Sequence, residues 1–523
     1  MASGYGKGSA SREKRVFKGL LHELLSGSPR QDIDYNNKTL RQRSRLLYMS
    51  EPLATALINN PRNNVIGLGI HAKPRIDYEA LGIQKEVAEK MQTAFEREWR
   101  LWAEDKRSCD ATGMNNFFAL QQIAFTSWLL SGDVFALFKS YERTAERPYG
   151  LRVHLIEADR CSTEGNVSGT FGTTGIAKGS NNQVFDGVEV DDNGLVQAYY
   201  ISTSYPSDNT YPKRQGMKWT RVPVWGEKTK LPNIVHVMSA ERPDQYRGVP
   251  FLSKVVEPLL QIRRYRESEL MAAVIQSFFT VFVKENDSGN IDFNEALGGE
   301  DEKSERDDEF EMGPGNINYL DKGQDVAFAQ PTHPYSGFQS FCDTLITHIA
   351  CGLGEPKEII LMQFQSSYSA SRAALQEAWK TYKMFRKWFV DDFCQPIYER
   401  WLYEAVALGR VEAPGFFDDP TYRKAFSGVE WIGQSQGMID PTKDVKAAKE
   451  AIDAGFTTAE AETVRLYGGD VYRNISQRGH EIELMKASGM KQSFIQTDPK
   501  QNEGTENETE NETENEEEKE GEK

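Results

Sequence analysis

Residues 366–411 read SSYSASRAALQEAWKTYKMFRKWFVDDFCQPIYERWLYEAVALGRV, and this stretch decides the fold class. Its large apolar side chains recur at steps of three and four residues, or at sums of these steps: Leu375, Trp379, Tyr382, Phe385, Trp388, Phe389, Phe393 and Ile397. That spacing predicts a long amphipathic helix with one buried stripe. The opposite face is predicted to carry Glu377, Lys380, Lys383, Arg386 and Lys387. Pro396 predicts a kink or a break, and Gly409 predicts the end of the helix.

The rest of the chain mixes helical and strand patterns. Further helices are predicted at residues 40–60, 84–104, 115–130, 250–277 and 335–353, and strands at residues 134–138, 153–156, 196–201, 234–237, 278–284, 317–320 and 326–328. Residues 431–484 are predicted to be largely helical. Residues 165–182 are rich in Gly, Ser, Thr and Asn, which predicts a long loop. The sequence therefore predicts an α+β fold dominated by long helices.

Charge is distributed unevenly along the 523 residues, whose net charge is −16. Residues 501–523 hold 11 Glu and 2 Lys, a net charge of −9, which predicts a disordered tail. The first 50 residues carry 10 Lys and Arg against 4 Asp and Glu, a net charge of +6. The chain as a whole lacks the basic balance of a protein that clamps phosphate, and an acidic balance of this kind is also common in ordinary soluble proteins.

Several classes of protein are disfavoured by the residues that are present. The N-terminal segment is polar and basic without an apolar region, and the longest apolar stretch, residues 271–283, is shorter than a membrane helix. The five cysteines are scattered, which predicts reduced thiols in a protein assembled in the cytoplasm. The seven histidines form no metal-binding motif, and no complete nucleotide-binding glycine motif occurs. We therefore predict no cofactor, no metal and no enzymatic activity.

The residue identities within 366–411 carry information about the protein family that their periodicity does not. SxYSASRAALxEAWK followed by CQPxYExWLxEAV closely resembles the lambda-type family of tailed-bacteriophage portal proteins, the head–tail connectors. Five further blocks resemble the same family in the same order: residues 40–70, 102–138, 155–162, 234–252 and 431–454. Together these blocks span most of residues 40–460.

The resemblance implies a portal-protein fold with a ring of subunits around a central channel. It implies a flexible basic N-terminal arm (1–39), a wing of helices and strands (40–249), an ascending stem helix (250–277), a small β-containing clip (278–334), a descending stem helix (335–353), a tunnel loop (354–368), a long wing helix with the segment after it (369–430), a helical crown (431–498) and a disordered acidic tail (499–523).

The tunnel loop is the best functional candidate that the resemblance provides. Its DNA-facing residues would be Met362, Gln363, Phe364, Gln365, Ser366, Ser367 and Tyr368. Gln, Ser and Tyr side chains can donate hydrogen bonds to phosphate oxygens without reading the base sequence. The alternative is an ordinary connection between two helices.

Two sets of charged residues, one acidic and one basic, each have more than one possible role. An acidic run in the clip consists of Glu300, Asp301, Glu302, Glu305, Asp307, Asp308, Glu309 and Glu311. It would form a rim for partner docking, and the alternatives are a solvated charge run or a metal site. A basic group would pair with neighbouring subunits or face DNA: Arg263, Arg264, Arg266 and Arg372.

The function implied by the resemblance is structural. Twelve copies would form a ring at the unique capsid vertex of the virion, through which double-stranded DNA is packaged and ejected. The partners would be DNA without sequence preference, the terminase large subunit, head-completion or adaptor proteins, and the major capsid and scaffold proteins. The alternatives are a metal-dependent nuclease or protease that uses the acidic run, and a non-portal head or tail scaffold protein.

Overall fold

The computed structural model describes residues 27–163, 174–177, 179–205, 217–277, 281–284, 317–320, 337–364, 367–438 and 440–488. The chain divides into two compact units, Met1–Gln434 and Ser435–Lys523. Strands and helices both contribute to the first unit, whereas the described part of the second consists of helices and connecting turns. The mixed helix and strand content confirms the predicted α+β class.

The helices of the first unit are α1 Tyr35–Ser50, α2 Pro52–Val65, α3 Tyr78–Leu81, α4 Lys85–Ala103, α5 Lys106–Cys109, α6 Phe117–Ser131, α7 Val256–Ser277, α8 Phe338–Leu353, α9 Lys357–Leu361, α10 Tyr368–Phe389, α11 Gln395–Ala407 and α12 Pro420–Phe426. Those of the second unit are α13 Pro441–Asp453, α14 Ala459–Tyr467 and α15 Val471–Ala487. The strands are β1 His71–Pro74, β2 Asp133–Ser140, β3 Leu151–Glu157, β4 Thr174–Ile176, β5 Gln183–Phe185, β6 Val188–Val190, β7 Val196–Ser202, β8 Trp219–Pro223, β9 Ile234–Met238, β10 Val281–Lys284, β11 Ile317–Leu320 and β12 Val429–Ile432.

The long amphipathic helix is confirmed, with a local change of winding in place of a break. Helix α10 continues through a π-helical turn, Val390–Cys394, directly into α11. Pro396 lies just after this turn. Since proline cannot donate a main-chain hydrogen bond, the wider π-helical turn is a suitable place for it. Gly409 has a φ of +66°, as expected beyond the end of a helix.

Aromatic side chains from several helices form the centre of the main core. The ring of Trp99 lies 5.1 Å, between centroids, from each of Trp102, Phe117, Tyr398 and Trp401. Large buried aromatic groups contribute both apolar area and specific edge-to-face contacts. The predicted apolar stripe of α10 and α11 therefore packs against helices that are distant in the sequence.

Two antiparallel sheets lie beside this helical core. The smaller has the strand order β3–β2–β9, and the larger has the order β4–β5–β6–β7–β8. A second, smaller apolar cluster includes Phe135 of β2 and Tyr199 of β7. The predicted strands at 134–138, 153–156, 196–201 and 234–237 are confirmed as parts of β2, β3, β7 and β9.

A close main-chain contact joins α6 to the segment that precedes α7. A Cβ atom added to Gly248 would lie 1.9 Å from the carbonyl oxygen of Gly132. Gly132 itself has a φ of +87°, which favours glycine. Asn37 of α1 donates a hydrogen bond of 2.8 Å to the Gly248 carbonyl oxygen. Any larger side chain at either glycine would force these three segments apart.

Several predictions were wrong in detail. The helix predicted at residues 40–60 is two helices, which meet at Glu51 because Pro52 starts a new first turn. The segment predicted as helix from residue 250 begins as a 3-10 helix, Phe251–Val255, before α7. Residues 165–182, predicted as a loop, contain strand β4, which pairs with β5. The strand predicted at 326–328 lies outside the described residues.

The polar face of α10 also needs a correction. Arg386 is partly buried and donates to the carbonyl oxygens of Asn64, Val65 and Gln434 at 2.8–3.0 Å. It thereby satisfies main-chain acceptors near the C-terminal end of α2. Burial lowers the pKa of Arg386 to about 10. The helical pattern could not show that this position of the polar face contacts another helix.

Candidate functional site

The predicted tunnel loop connects α8 to α10 through the short helix α9. Helix α8 ends at Gly354, whose φ is +72°. Met362 ends α9 with a φ of +52°, a conformation that side-chain-bearing residues rarely adopt. Met362, Phe364 and Tyr368 are all more than half exposed. The loop therefore presents large apolar and aromatic side chains to its surroundings.

The base of the loop is fixed by specific contacts. Asn60 of α2 donates a hydrogen bond of 3.1 Å to the carbonyl oxygen of Ile359. Ile360 is buried in the main core. At the other end, the Ser367 hydroxyl accepts a hydrogen bond from the amide of Ala370 at 3.4 Å and caps α10. Gln363 is exposed, whereas Gln365 and Ser366 lie outside the described residues.

A buried carboxyl group lies at the start of this loop. Glu355 is 3% exposed, and within the described part of the chain no side chain, the neighbouring Tyr382 hydroxyl included, makes a hydrogen bond of ordinary geometry to its carboxyl oxygens. Burial raises the pKa of Glu355 to about 8, and the neighbouring Tyr382 of α10 offsets that rise only in part. The carboxyl group is consequently mostly protonated at neutral pH.

The predicted basic residues occupy other surroundings. Arg266 of α7 donates to both carboxylate oxygens of the buried Glu51, each at 2.8 Å. Arg263 donates to Glu267 at 2.9 Å and to the Ser50 hydroxyl at 3.3 Å. The contacts with Glu51 and Ser50 hold α7 against the junction between α1 and α2. Arg264 is exposed on α7, and Arg372 lies on α10.

The acidic run cannot be placed in the same way. All eight of its predicted docking residues, Glu300, Asp301, Glu302, Glu305, Asp307, Asp308, Glu309 and Glu311, lie outside the described residues. Within the described residues, no group of three or more His, Cys, Asp and Glu side chains is arranged to hold a metal ion. No described helix is both long enough and apolar enough to cross a membrane.

Helices α7 and α8 expose large apolar side chains. Leu270 and Met271 of α7 are 68% and 59% exposed. Val274 follows Met271 by three residues and Leu270 by four, so these side chains share one face of α7. Phe341 of α8 is also exposed. Exposed apolar side chains that share one helix face are typical of a protein–protein contact.

A network of buried charges was not predicted from the sequence. Its centre is Arg247, which is fully buried and donates to Asp133 at 2.7 Å and to Asp186 at 2.8 Å. It also donates to the carbonyl oxygens of Ala158 and Cys161 at 2.8 and 2.9 Å. Burial alone would lower the pKa of Arg247, but Asp133 and Asp186 hold it well above its ordinary value.

Further groups complete this network. Arg41 of α1 lies 3.5 Å from Asp133 and 3.6 Å from Asp186. Burial raises the pKa of Asp34 to about 7, and Asp186 adds to that shift. No sequence pattern indicated the network, because Arg247 and Asp133 are 114 residues apart and belong to no motif.

The network contains the residue types of a catalytic cluster, a histidine, an aspartate and a cysteine, but their surroundings disfavour a reactive thiolate. His236 Nε2 lies 3.5 Å from Asp133, and Cys161 belongs to the same buried region. Burial lowers the pKa of His236 and raises the pKa of Cys161 to about 12. A nucleophilic cysteine needs an accessible thiolate, which these surroundings disfavour. The geometry therefore indicates a structural role that joins α1 to both sheets.

Known proteins that resemble the chain agree on one family. The family model described as phage portal protein, lambda family, matches residues 23–386. Portal protein B of Escherichia phage lambda is 23% identical over 453 residues, covering 82% of this chain and 80% of the lambda protein. A protein of Halomonas phage phiHAP-1, described as “Probable portal protein”, is 24% identical over 488 residues, covering 92% of this chain and 87% of its own length.

Solved structures give a weaker resemblance. A chain from the neck of a native gene transfer agent particle, computed with twelve-fold symmetry, has a TM-score of 0.38 and 12% identity, covering 83% of this chain and 94% of that one. Similarity at that level supports no conclusion about this chain. The family match is different, because it extends over more than half of the 523 residues. The chain belongs to the lambda family of phage portal proteins.

Proposed function

We propose that twelve copies of this chain form a ring at the unique capsid vertex and conduct double-stranded DNA into and out of the head. The observation that carries the proposal is the match to the lambda portal family across residues 23–386. The ring would also be the docking site for the terminase large subunit, for head-completion or adaptor proteins, and for the capsid and scaffold proteins. It would act mechanically and not as an enzyme.

The described elements support a division of labour within such a subunit. Helices α7 and α8 would be the ascending and descending stem helices, and α10 with α11 would be the long wing helix. Residues 278–334 would be the clip, and its acidic run would be a rim for partner docking. Residues 431–498 would be the crown.

The exposed face of α7 supports assembly into a ring. Leu270 and Met271 would be covered by the neighbouring subunit, because a closed ring joins one face of each subunit to a different face of the next. Covering apolar area stabilises association by roughly 25 cal/mol per Å² of apolar surface. Arg264 is exposed on the same helix and is available for ion pairs between subunits.

Assembly is tested by native mass spectrometry of the full chain, with ring averaging by electron microscopy. A twelve-membered ring of the 59.3 kDa subunit would weigh about 710 kDa, twelve times the subunit mass. We expect Leu270→Glu combined with Met271→Glu to release smaller species, because burying the new carboxylates in the contact is costly. Leu195→Glu is the matched control, since Leu195 is 62% exposed and lies between β6 and β7.

Either of two results would overturn this part of the proposal. A wild-type chain that stays monomeric or dimeric at high concentration and at every salt concentration would contradict autonomous ring formation. Intact rings from the doubly substituted chain would show that the face of α7 is not a contact between subunits.

The exposed loop supports direct contact with DNA. Its side chains Met362, Gln363 and Phe364 project from a base that Asn60 and Ile360 hold in place. Such groups would touch the sugar–phosphate backbone without reading its sequence. Deletion of residues 363–367 is expected to impair DNA packaging or retention while rings still form. If the rings with the deletion package and retain DNA normally, the loop is only a connection between helices.

A further inference from the structure

A basic groove runs between the long helix and strand β12. Its volume is about 480 Å³, and it lies on the surface of the first unit. The charged side chains that line it are four cations and one acid: Lys383, Arg386, Lys387, Lys424 and Asp391. This local excess of positive charge stands out on a chain whose net charge is −16. The groove therefore favours an anionic occupant.

The cations of the groove differ in how far they are already paired. Lys387 lies 2.5 Å from Asp391, and Lys424 lies 3.9 Å from Glu399. Lys383 is exposed and has no ion pair within the described residues. Surface pairs of this kind are weak and are readily exchanged for another carboxylate. Lys383, Lys387 and Lys424 are thus available to an incoming acidic group.

One wall of the groove is the edge of a strand. Strand β12 pairs with β1 alone, antiparallel, with Pro74 opposite Val429 and Ala72 opposite Trp431. The amide of Arg75 donates to the carbonyl oxygen of Gly428 at 2.7 Å. In an antiparallel pair the hydrogen-bonded positions alternate, so the main-chain groups of Val429 and Trp431 point away from β1.

These outward main-chain groups are unpaired. Among the described residues, the amide and carbonyl groups of Val429 and Trp431 have no hydrogen-bond partner. Pro74 opposite Val429 fits the same geometry, because its missing N–H would also have pointed outward. Val429 and Trp431 both line the groove and are only partly buried. The edge is therefore open to pairing with another extended segment.

The two ends of the groove limit the length of that segment. At one end, Gln395 accepts a hydrogen bond from Trp431 Nε1 and donates one to the Ser427 carbonyl oxygen, both at 2.9 Å. At the other end, Arg386 donates to the carbonyl oxygen of Gln434 at 2.8 Å. These bridges engage the Ser427 and Gln434 carbonyl oxygens and the Trp431 indole, so only the outward main-chain groups of Val429 and Trp431 are left for a partner.

We propose that the groove binds a short, extended, acidic peptide segment of a partner protein. The segment would add to the free edge of β12 by main-chain hydrogen bonds, while its carboxylates meet Lys383, Lys387 and Lys424. Addition of a strand to an open sheet edge is a recurring mode of peptide recognition. The phosphates of duplex DNA could accept from the lysines and from the outward amides, but they offer no donor to the outward carbonyl groups, so the strand edge favours a peptide.

The test measures binding of a fluorescein-labelled peptide of alternating glutamate and threonine to the full chain by fluorescence anisotropy. A lysine–threonine peptide and a short DNA duplex serve as comparison probes. We expect Lys383→Glu combined with Lys387→Glu to weaken binding of the acidic peptide by about tenfold or more. Lys380→Glu is the matched control, because Lys380 is exposed on the same helix and does not line the groove.

A second variant separates strand pairing from charge. Val429→Pro removes one outward amide without removing a hydrogen bond to β1, and proline is tolerated at such an edge position. We expect this substitution to weaken binding of the acidic peptide several-fold, while the thermal unfolding temperature stays close to that of the wild type. Unchanged peptide affinity in either variant would overturn the proposal. DNA that binds as tightly as the peptide, with the same sensitivity to Lys383 and Lys387, would also overturn it.

Discussion

Two buried ionisable groups in the first unit, Arg247 and Glu355, differ in how many hydrogen-bond and charge partners surround them. All three guanidinium nitrogens of Arg247 donate to buried acceptors, which come from Asp133, Asp186 and the carbonyl oxygens of Ala158 and Cys161. Glu355 is buried to a similar degree, but within the described residues its carboxyl oxygens accept no hydrogen bond. Arg247 therefore stays charged, whereas Glu355 is mostly neutral.

The difference shows how burial and partners together decide the state of a group. Burial disfavours the charged form in both places, and only a full set of opposite charges and hydrogen bonds reverses it. Arg247 is therefore charged and connects segments that are distant in the sequence. Glu355 is held mostly neutral at the point where α8 leads into the predicted tunnel loop.

The largest expected effect follows from removing Arg247, the buried charge whose guanidinium nitrogens all donate hydrogen bonds. Arg247→Met would leave Asp133 and Asp186 buried with only Arg41 as a counter-charge. Breaking a buried ion pair by removing one member typically costs about 3–5 kcal/mol of unfolding free energy. We expect a loss of that size in urea unfolding of the full chain, and loosening of the two sheets in hydrogen exchange.

A matched substitution shows whether the loss comes from burial. Arg100→Met removes an exposed pair with Glu104, in which the two side chains are 53% and 50% exposed. Such pairs contribute about 0.5 kcal/mol or less. Similar losses from Arg247→Met and Arg100→Met would contradict the view that the buried network organises this region.

The sequence predicted the elements better than their contacts. Periodicity was sufficient for α10, since the apolar stripe at steps of three and four is a local property of one helix. The same pattern placed Arg386 on a polar face, although it donates to carbonyl oxygens of Asn64 and Val65, more than 300 positions away. Contacts between distant segments leave no local pattern.

The functional residues show the same limit. Predicted loop residues such as Met362 and Phe364 are exposed, but no sequence pattern distinguished the nearby Glu355. A lone glutamate is normally a surface residue, and only the folded structure, in which Glu355 lies beside Tyr382 of α10, buries it. Strand β12 and its open edge were missed because four residues carry too weak an alternating pattern.

The second expected effect comes from Glu355, the buried group without a counter-charge, and it depends on pH. Because the pKa of Glu355 is about 8 in the folded chain against an ordinary 4.5, the folded state binds its proton more tightly. Its contribution to stability is complete below about pH 4.5 and is lost as pH rises towards about 8. Glu355→Gln keeps a neutral side chain of similar shape at every pH.

We therefore expect Glu355→Gln to be close to the wild type near pH 5 and to be more stable at about pH 9, by up to roughly 5 kcal/mol. Urea unfolding across this range measures the difference, and the exposed Glu412→Gln is the control. A gain that is the same at both pH values would indicate a packing effect instead of titration. No gain at alkaline pH would mean that Glu355 finds a partner when it ionises, and the contrast with Arg247 would then disappear, because both sites would stabilise their charged forms.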